Sequence, residues 1–425
     1  MKHPLHIHVI WHPDFKDGSD YAKLIYSTFN RNTDQLFGRS TGIPVYFRSS
    51  IPATPRSNSL FGIDFTTAAQ HCVVFLADIK MAISDDTWTN EITQLVKKAK
   101  ADSGIRIIPM AFTKDVMMGM GYLFDKINWA RIYEGTAAGD MKQYLLLILA
   151  HELCKQLYVN DPEFSEEPGN ATKSPIKLFI SHAKVDGLKI AEQIKKYIEQ
   201  FTIIDLFFDA RSISQGEDFA EILKEGIYNP ELQKQKSTLL VIQTDLYSTR
   251  EWCRFEVLTA KKYNCPAIVV NAIQNGEGRG FPYMANVPTI RWSDGSEQSN
   301  APVILRILTA TMRETLRIKF KEQFLDYSLS ELGMSNREHI SLANTPELLD
   351  LINHQKKFCA PETLVIYPDP PLGENEIMLL REFNSCLEIR TPLQLVADQY
   401  KDHAHPLFVF CEEMLRGPRA TGASA

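Results

Sequence analysis

Short apolar runs alternate along most of the chain with longer segments in which apolar residues recur every three or four positions. Nearly uninterrupted apolar runs are typical of strands that are buried on both faces of a sheet, and the longer spacing is typical of the helices that cover such strands. Regular alternation of strand and helix predicts an α/β fold with parallel sheets flanked by helices.

In the N-terminal part of the chain, four apolar runs are separated by helical patterns. The predicted strands are 6–11, 43–48, 72–78 and 106–112. The predicted helices are 18–30, 88–98 and 141–157. This order predicts one complete parallel sheet before residue 158.

The same order returns in the middle of the chain. The predicted strands are 177–182, 203–209, 237–244, 266–272 and 289–292. The predicted helices are 187–200, 217–227, 250–263 and a long one over 302–332. A Trp opens the helix after the third strand in both halves, at Trp88 and Trp252, and a glutamate follows each, at Glu91 and Glu256. Such repetition indicates an internal duplication, although two unrelated α/β domains would also give this alternation.

The domain boundaries follow from composition. Residues 159–175 hold three prolines, a glycine and an acidic cluster without an apolar period, which is typical of a linker. The predicted organisation is listed here in chain order: domain 1–158, linker 159–175, domain 176–332, a small C-terminal α/β module over 333–416, and a flexible tail over 417–425.

Composition narrows the class of protein. Hydrophobic residues make up 44% of the chain and charged residues 23%, which disfavours bulk disorder. The net charge of −6 disfavours direct nucleic-acid binding. The longest wholly apolar run is too short to span a membrane, the N-terminus lacks the apolar run of a secretory signal, and the seven cysteines show no CxxC spacing. We therefore expect a soluble, cytoplasmic protein without a zinc module or a disulfide framework.

Candidate chemistry concentrates at the strand ends of the second domain. Ligands of open parallel sheets bind just outside the carboxyl ends of the strands. Polar residues follow the first strand at 181–182 and the second at 209–211, and the helix after the third strand carries Trp252 and Glu256. These two are four positions apart and share one helix face. An aromatic ring beside a carboxylate suits a flat, positively charged ring.

Three motifs carry a family resemblance. They are F-I-S-H at 179–182, D-x-R-S-I-x-x-G-E-D-F at 209–219, and S-x-x-x-W-C-x-x-E at 248–256. In this order they resemble a Toll/interleukin-1 receptor (TIR) domain, and the resemblance covers about 177–292. It implies flavodoxin-like sheets in two tandem TIR-like domains, the first of them degenerate.

The resemblance also implies an activity. In the enzymatic branch of the family, the glutamate that matches Glu256 is the catalytic residue of an NAD⁺ glycohydrolase, which uses NAD⁺ as substrate and needs no further cofactor or metal. Glu256 would stabilise the oxocarbenium-like ribose or bind its hydroxyls, and both roles stay open. The other expected NAD⁺-binding residues, by family position or by stacking on the ring, are Phe179, Ser181, His182, Asp209, Arg211 and Trp252.

Family context further suggests partners. TIR enzymes work as oligomers, so we expect a homo-oligomer, activation by a sensor or other protein partner, and a role in anti-phage defence through NAD⁺ depletion. Two alternatives remain: a non-enzymatic TIR scaffold that signals by self-assembly, and a nucleotide-signal receptor that uses the C-terminal module as its sensor.

The first domain departs from the motifs. Trp11 stands in the aligned place of Ser181, the loop at 48–50 lacks Gly-Glu-Asp, and Glu91 follows Trp88 by three positions without a Cys after the Trp. We interpret this domain as one kept for contacts rather than catalysis.

Three other features have simpler interpretations. Histidines crowd the N-terminus at His3, His6, His8 and His12, and His6 and His8 share a strand face that could bind a metal. Because no carboxylate or Cys lies at close spacing, we expect hydrogen-bonded polar histidines instead. The glycine-rich segment 276–280 opens no helix and is expected to be a surface loop, and 368–371 a proline turn.

Overall fold

The computed structural model describes most of the chain. The described residues are 3–31, 40–52, 60–124, 127–159, 176–202, 204–208, 228–229, 234–235, 237–277, 280–284, 286–293, 297–353, 364–384 and 387–399. They divide into two compact units, within residues 2–321 and within residues 322–425.

The first unit begins with a five-stranded parallel sheet. Its strands are β1 His3–Trp11, β2 Val45–Arg48, β3 Ala68–Ala77, β4 Ile105–Ala111 and β5 Ala130–Arg131. They are ordered β2-β1-β3-β4-β5 and every pair is parallel. The accompanying helices are α1 Gly18–Phe29, α2 Ile79–Ala82, α3 Asp86–Ala101, α4 Lys114–Phe124, α5 Gly135–Ala138 and α6 Met141–Val159.

Local sequence explains where helix α3 begins and which of its faces is buried. The Asp85 carboxylate accepts a hydrogen bond from the Trp88 backbone N–H at 3.1 Å and so caps the helix. The buried residues of α3 are Trp88, Ile92, Leu95 and Val96, spaced as one apolar stripe. This stripe packs on one face of the sheet.

The same unit holds a second five-stranded parallel sheet. Its strands are β6 Lys177–His182, β7 Asp205–Phe208, β10 Ser237–Gln243, β11 Ala267–Asn271 and β12 Thr289–Arg291, in the order β12-β11-β10-β6-β7. A two-stranded antiparallel pair, β8 Tyr228–Asn229 and β9 Lys234–Gln235, precedes β10. The helices are α7 Leu188–Phe201, α8 Glu251–Lys262 and α9 Glu297–Glu331, the last continuing into the second unit.

Numbered within its own half, each five-stranded sheet has the strand order 2-1-3-4-5. The predicted α/β fold with parallel sheets flanked by helices is therefore confirmed. In such a sheet the switch point lies between the first and third strands, here between β6 and β10 in the second sheet. The interpretation as two tandem TIR-like domains stays a prediction, and the predicted helix at 217–227 lies outside the described residues.

Both sheets contribute to one hydrophobic cluster of the first unit. It contains Val74 of β3 and Leu240 of β10, together with Leu149 of α6 and Met312 of α9. We predicted two domains here, joined by 159–175; residues 160–175 lie outside the described part of the chain, and the two-domain division stays a prediction.

The second unit contains a three-stranded parallel sheet in the order β13-β14-β15. Its elements are β13 His339–Ser341, α10 Leu348–Asn353, β14 Leu364–Ile366, α11 Glu374–Phe383, β15 Glu388–Arg390 and α12 Pro392–Gln399. Strand β13 has a single apolar residue, Ile340, so its sequence carries no strand pattern. The predicted tail, 417–425, is outside the described residues.

The helices that the structure describes include none with the length and hydrophobicity that crossing a bilayer requires.

Candidate functional site

Glu256 lies in the buried stripe of helix α8. The stripe also contains Cys253, Val257 and Ala260, at helical spacing, and it packs on the same sheet face as Phe179. The side chain of Glu256 is 8% exposed. A glutamate in an apolar stripe is unusual, because burying a carboxylate costs free energy unless polar groups contact it.

Two hydroxyl groups stabilise this carboxyl group. Ser181 Oγ, next to last in β6, donates a hydrogen bond to Glu256 Oε2. The hydroxyl of Tyr247 lies 2.5 Å from Ser181 Oγ, and Tyr247 is fully buried in the turn that joins β10 to α8. Since the Ser181 proton points at Glu256, Tyr247 is the donor in its 2.5 Å contact with Ser181, and the same hydroxyl also lies 3.4 Å from the carbonyl oxygen of Cys253. The three side chains form one line of hydrogen bonds at the switch point of the sheet.

Burial sets the ionisation of this line. Burial raises the pKa of Glu256 to about 7, and the hydrogen bond from Ser181 opposes that rise. Burial, and then the negative charge of Glu256, raises the pKa of Tyr247 well above its usual value, which keeps its hydroxyl protonated as a donor. A carboxyl group that titrates near neutral pH is suited to acid–base or charge-stabilising work.

The other predicted residues of β6 lie on two faces. Phe179 is buried in the cluster beneath Glu256, on the same strand face as Ser181. His182 is half-buried, and strand alternation places it on the opposite face. The structure therefore brings Phe179 and Ser181 to Glu256 and places His182 on the other side of the strand.

Trp252 and Glu256 differ in exposure although they are one helical turn apart. Trp252 is 56% exposed and contacts Phe255 edge-on, with ring centroids 6.1 Å apart. Cys253 is buried, and burial raises the pKa of its thiol to about 12, which makes it a core residue rather than a nucleophile. Asp209 and Arg211 lie outside the described residues.

Ser248, the first residue of the third motif, makes two hydrogen bonds that stabilise the start of helix α8. Its hydroxyl donates to Glu277 Oε1 at 2.6 Å, and its backbone carbonyl accepts from Arg254 Nη1 at 2.9 Å. It thereby ties the start of α8 to the loop after β11. The expectation of a plain surface loop at 276–280 thus omitted this contact of Glu277; residues 278–279 are outside the described part of the chain.

Sequence reasoning missed two residues of this region. Tyr247 completes the hydrogen-bond line, and Asp186 accepts from Thr244 Oγ1 at 2.8 Å and from the Leu246 backbone N–H at 3.0 Å. Asp186 therefore joins the loops that follow β6 and β10. The sequence indicates these two residues only by their position, a few residues after strand ends that meet at one sheet edge.

The first sheet uses its corresponding glutamate differently. Glu91 Oε2 accepts a hydrogen bond from the backbone N–H of Phe61 at 2.7 Å. Phe61 is fully buried and has a left-handed backbone conformation, with φ of 50°. Glu91 thus fixes a strained turn, which is a structural task.

Trp11 does not take the place of Ser181 in the first sheet. Trp11 pairs in register with Leu76, which faces away from α3, whereas Ser181 faces α8. Trp11 therefore lies on the strand face that corresponds to the face of His182 in β6.

The two neighbours of Trp11, Ile10 and His12, lie on the side of α3, where the His12 ring is 5.2 Å from the Trp88 ring. Ile10 is fully buried in the cluster that contains Trp88 of α3. Its side chain has no hydrogen-bonding group, so it cannot support Glu91 as Ser181 supports Glu256. A shift of one residue moves every side chain to the other sheet face, so comparing the two strands by sequence alone placed Trp11 on the wrong face.

A cavity of about 560 Å³ lies elsewhere, beside the first sheet and α6, and its lining includes Arg106, His151, Glu152 and Lys155. Burial favours the neutral form of Glu152, but the hydrogen bond from His151 and the charges of Arg106 and Lys155 outweigh it and lower its pKa to about 2. The residues around Glu256 do not line this cavity. Glu256 is a candidate site residue because of its hydrogen bond from Ser181 and its burial, not because it lies in a cavity. On the first sheet, His6, His8 and His71 each place a ring nitrogen within 4.8 Å of the other two.

Comparison with known proteins bears on one part of the chain. No curated protein matches it. A solved structure, the tagatose-6-phosphate ketose/aldose isomerase from Escherichia coli, aligns with 75% of this chain and 83% of its own at 10% identity, and its TM-score of 0.22 carries no argument about fold or function. Residues 178–302 match the family model described as a TIR domain. The chain therefore contains a TIR domain at residues 178–302.

Proposed function

We propose that the TIR domain is an NAD⁺ glycohydrolase in which Glu256 is the catalytic residue. One observation carries the proposal: a buried carboxyl group, held by Ser181 and Tyr247 at the switch point of the sheet, has a pKa near neutrality. An adaptor that acts through its surface alone has no need of a buried carboxyl group with this pKa.

The proposed reaction breaks the bond between nicotinamide and ribose. The bonding electron pair moves to the nicotinamide nitrogen, so the ring leaves as a neutral molecule and needs no proton. The ribose becomes oxocarbenium-like, and ionised Glu256 stabilises that positive charge. Water then adds to the ribose carbon and loses a proton, which gives ADP-ribose; an internal nucleophile in place of water would give a cyclised isomer.

The binding roles extend this proposal. The exposed ring of Trp252, one turn from Glu256, offers a stacking surface for the nicotinamide ring. Ser181 would position Glu256, and Phe179 would support it from the core. The roles of His182, Asp209 and Arg211 in binding NAD⁺ rest on the family resemblance.

Activation by assembly belongs to the same proposal. Glu256 is 8% exposed, so substrate reaches it only after a rearrangement, and an isolated chain is expected to be weakly active. Assembly into a homo-oligomer, or docking of a sensor protein, would supply that change. Depletion of NAD⁺ in anti-phage defence is the biological role that we propose for it.

A non-enzymatic scaffold is the second candidate. The exposed indole of Trp252 favours it, since exposed tryptophans are frequent anchors of protein interfaces. In this alternative, loss of the Glu256 carboxyl group would leave self-assembly and signalling unchanged.

The deciding experiment measures nicotinamide release from NAD⁺ by the full chain under assembling conditions. We expect Glu256→Ala to lose at least about 100-fold in kcat/KM. Glu251→Ala, which removes an exposed glutamate from the first position of the same helix, should match the wild type. Light scattering on each variant keeps loss of assembly apart from loss of chemistry. Absence of nicotinamide release from assembled wild type would overturn the proposal in favour of the scaffold.

A further inference from the structure

Three buried histidines meet on the first sheet, far in sequence from the proposed catalytic residue. His6 and His8 are two apart on β1 and share a face, and His71 of β3 pairs in register with His6. Each is at most 3% exposed. One ring nitrogen from each of them lies within 4.8 Å of the other two. Sequence reasoning identified His6 and His8 but had no means to place His71 beside them.

Hydrogen-bond partners fix the tautomers of His71 and His8. His71 Nε2 lies 3.1 Å from the carbonyl oxygen of Phe65, which only accepts, so Nε2 carries the proton and Nδ1 has a lone pair. His8 Nε2 lies 3.1 Å from that His71 Nδ1 and must therefore donate to it. This leaves His8 Nδ1 with a lone pair.

The contact with Thr67 fixes the tautomer of His6. The hydroxyl of Thr67 donates its proton to the carbonyl oxygen of Asp64 at 2.9 Å. Its contact with His6 Nδ1 at 3.2 Å is then an N–H donation from His6, which leaves His6 Nε2 with a lone pair.

Two of these lone pairs are unsatisfied. His6 Nε2 and His8 Nδ1 are buried and have no hydrogen-bond partner among the described residues. Burying an unpaired polar atom costs free energy, so such atoms require an explanation.

We propose that His6, His8 and His71 bind a divalent metal ion of the zinc class. His6 would ligate through its unpaired Nε2 and His71 through Nδ1, while His8 would ligate through Nε2 after its proton moves to Nδ1, so all three rings stay neutral. The ion would thus take up the lone pair of His6 Nε2, and the lone pair of His8 Nδ1 would receive the displaced proton. Neutral imidazole nitrogens are preferred zinc ligands. The hydrogen bonds to Thr67 and Phe65 would orient two of the ligands, as outer partners do in known metal sites.

The separations fit this assignment. Two nitrogens on a tetrahedral zinc ion, each about 2.0–2.1 Å from the metal, are roughly 3.3 Å apart. His8 Nε2 and His71 Nδ1 are already 3.1 Å apart. The separations among the three ligand nitrogens are at most 4.8 Å, so the widest would close by no more than roughly 1.5 Å to reach that geometry.

The surrounding charges are mixed. The Arg48 guanidinium lies near His8 and opposes a cation, whereas the carboxylates of Asp64 and Asp102 act on His71 in the opposite sense. Because the three ligands come from β1 and β3, the ion would link the two central strands of the first sheet and stabilise that sheet.

The test uses the untagged full chain, stripped with a chelator, incubated with Zn²⁺ and desalted before its metal content is measured by mass spectrometry. We expect one Zn²⁺ per chain. His8→Gln and His71→Gln should each weaken Zn²⁺ affinity by at least about 100-fold. His12→Gln is the matched control, because His12 belongs to the same histidine-rich segment but contacts Trp88 and Asp14 instead. It should bind Zn²⁺ like the wild type.

A second measurement needs no variant and therefore does not depend on whether the variants fold. Stripped wild type titrated with Co²⁺ should develop the intense visible absorption of a four-coordinate, nitrogen-ligated ion, and Zn²⁺ should displace it. Weak, octahedral-type absorption, a wild type that retains no Zn²⁺, or folded trio variants that bind Zn²⁺ like the wild type would each overturn the proposal.

Discussion

The two five-stranded sheets have the same strand order, yet each uses the glutamate of the helix after its third strand differently. In the second sheet, Glu256 accepts a hydrogen bond from the Ser181 hydroxyl, and the described contacts include none to it from the backbone. In the first sheet, Glu91 accepts a hydrogen bond from the backbone N–H of Phe61. The Glu256 carboxyl group is thus held by a side-chain hydroxyl at the sheet edge, whereas the Glu91 carboxyl group closes a backbone turn.

The tryptophans that precede these two glutamates differ in solvent exposure. Trp88 is 7% exposed and packs against Phe61, whereas Trp252 is 56% exposed. Apolar Ile10 packs in the cluster of Trp88 in the first sheet, whereas polar Ser181 contacts Glu256 in the second. One topology thus supports a filled core in one half and a polar site in the other, and the difference lies in a few side chains rather than in the fold.

The tryptophans give the largest contrast in stability. Trp88→Ala removes a buried indole and should lower the free energy of unfolding by about 3–5 kcal/mol. Trp252→Ala should change it by no more than about 1 kcal/mol, because its ring is mostly in solvent, while raising KM for NAD⁺. Urea unfolding followed by circular dichroism measures both. Equal losses of stability would show that the two helices pack alike and would break the comparison.

The pH dependence of stability comes next. The pKa of Glu256 is raised in the folded state, so the folded chain holds this proton more tightly than the unfolded chain does. Its contribution is therefore fully present below pH 4.5 and is lost as pH rises to about 7, a change of roughly 3 kcal/mol. Glu256→Gln removes the titration, so the free energy of unfolding of the variant, relative to the wild type, should rise by most of this amount between pH 5 and pH 8 in urea unfolding. A constant difference across that range would contradict the buried, near-neutral carboxyl group.

A smaller effect is expected at Glu91. Glu91→Ala leaves the Phe61 N–H without its acceptor and should cost about 1–2 kcal/mol of unfolding free energy. Glu91→Gln keeps an acceptor oxygen and should cost less than half of that. Thermal unfolding compares the two variants. If glutamine were as damaging as alanine, charge rather than the hydrogen bond to the turn would be the task of Glu91.

The smallest effect concerns the hydrogen bond from Ser181. This bond lowers the pKa of Glu256, so Ser181→Ala should raise it further. If ionised Glu256 is the active form, the rising limb of kcat/KM for NAD⁺ cleavage moves to higher pH, and activity at pH 6 falls more than activity at pH 9. Thr249→Val, whose hydroxyl contacts only its own turn at the Leu246 carbonyl, is the control. A limb that stays in place or moves to lower pH would argue against the contact.

Sequence reasoning could predict most strands of the two five-stranded sheets, their alternation with helices, and the placement of Ser181 and Glu256 near one sheet edge, because each follows from local period and from where parallel strands end. It could not predict which face Trp11 occupies, since that depends on a one-residue register. Nor could it predict that His71 joins His6 and His8 or that Tyr247 contacts Ser181, since both depend on non-local pairing.

The central claim is that the second sheet, and not the first, holds the reactive carboxyl group. The most direct test compares nicotinamide release from NAD⁺ by assembled wild type, Glu256→Gln and Glu91→Gln at pH 8, where Glu256 is mostly ionised. Both substitutions keep the shape of the side chain and remove its charge. We predict a loss of at least about 100-fold in kcat/KM for Glu256→Gln and wild-type turnover for Glu91→Gln. Wild-type turnover by Glu256→Gln, or loss of turnover in Glu91→Gln with its fold intact, would contradict the account.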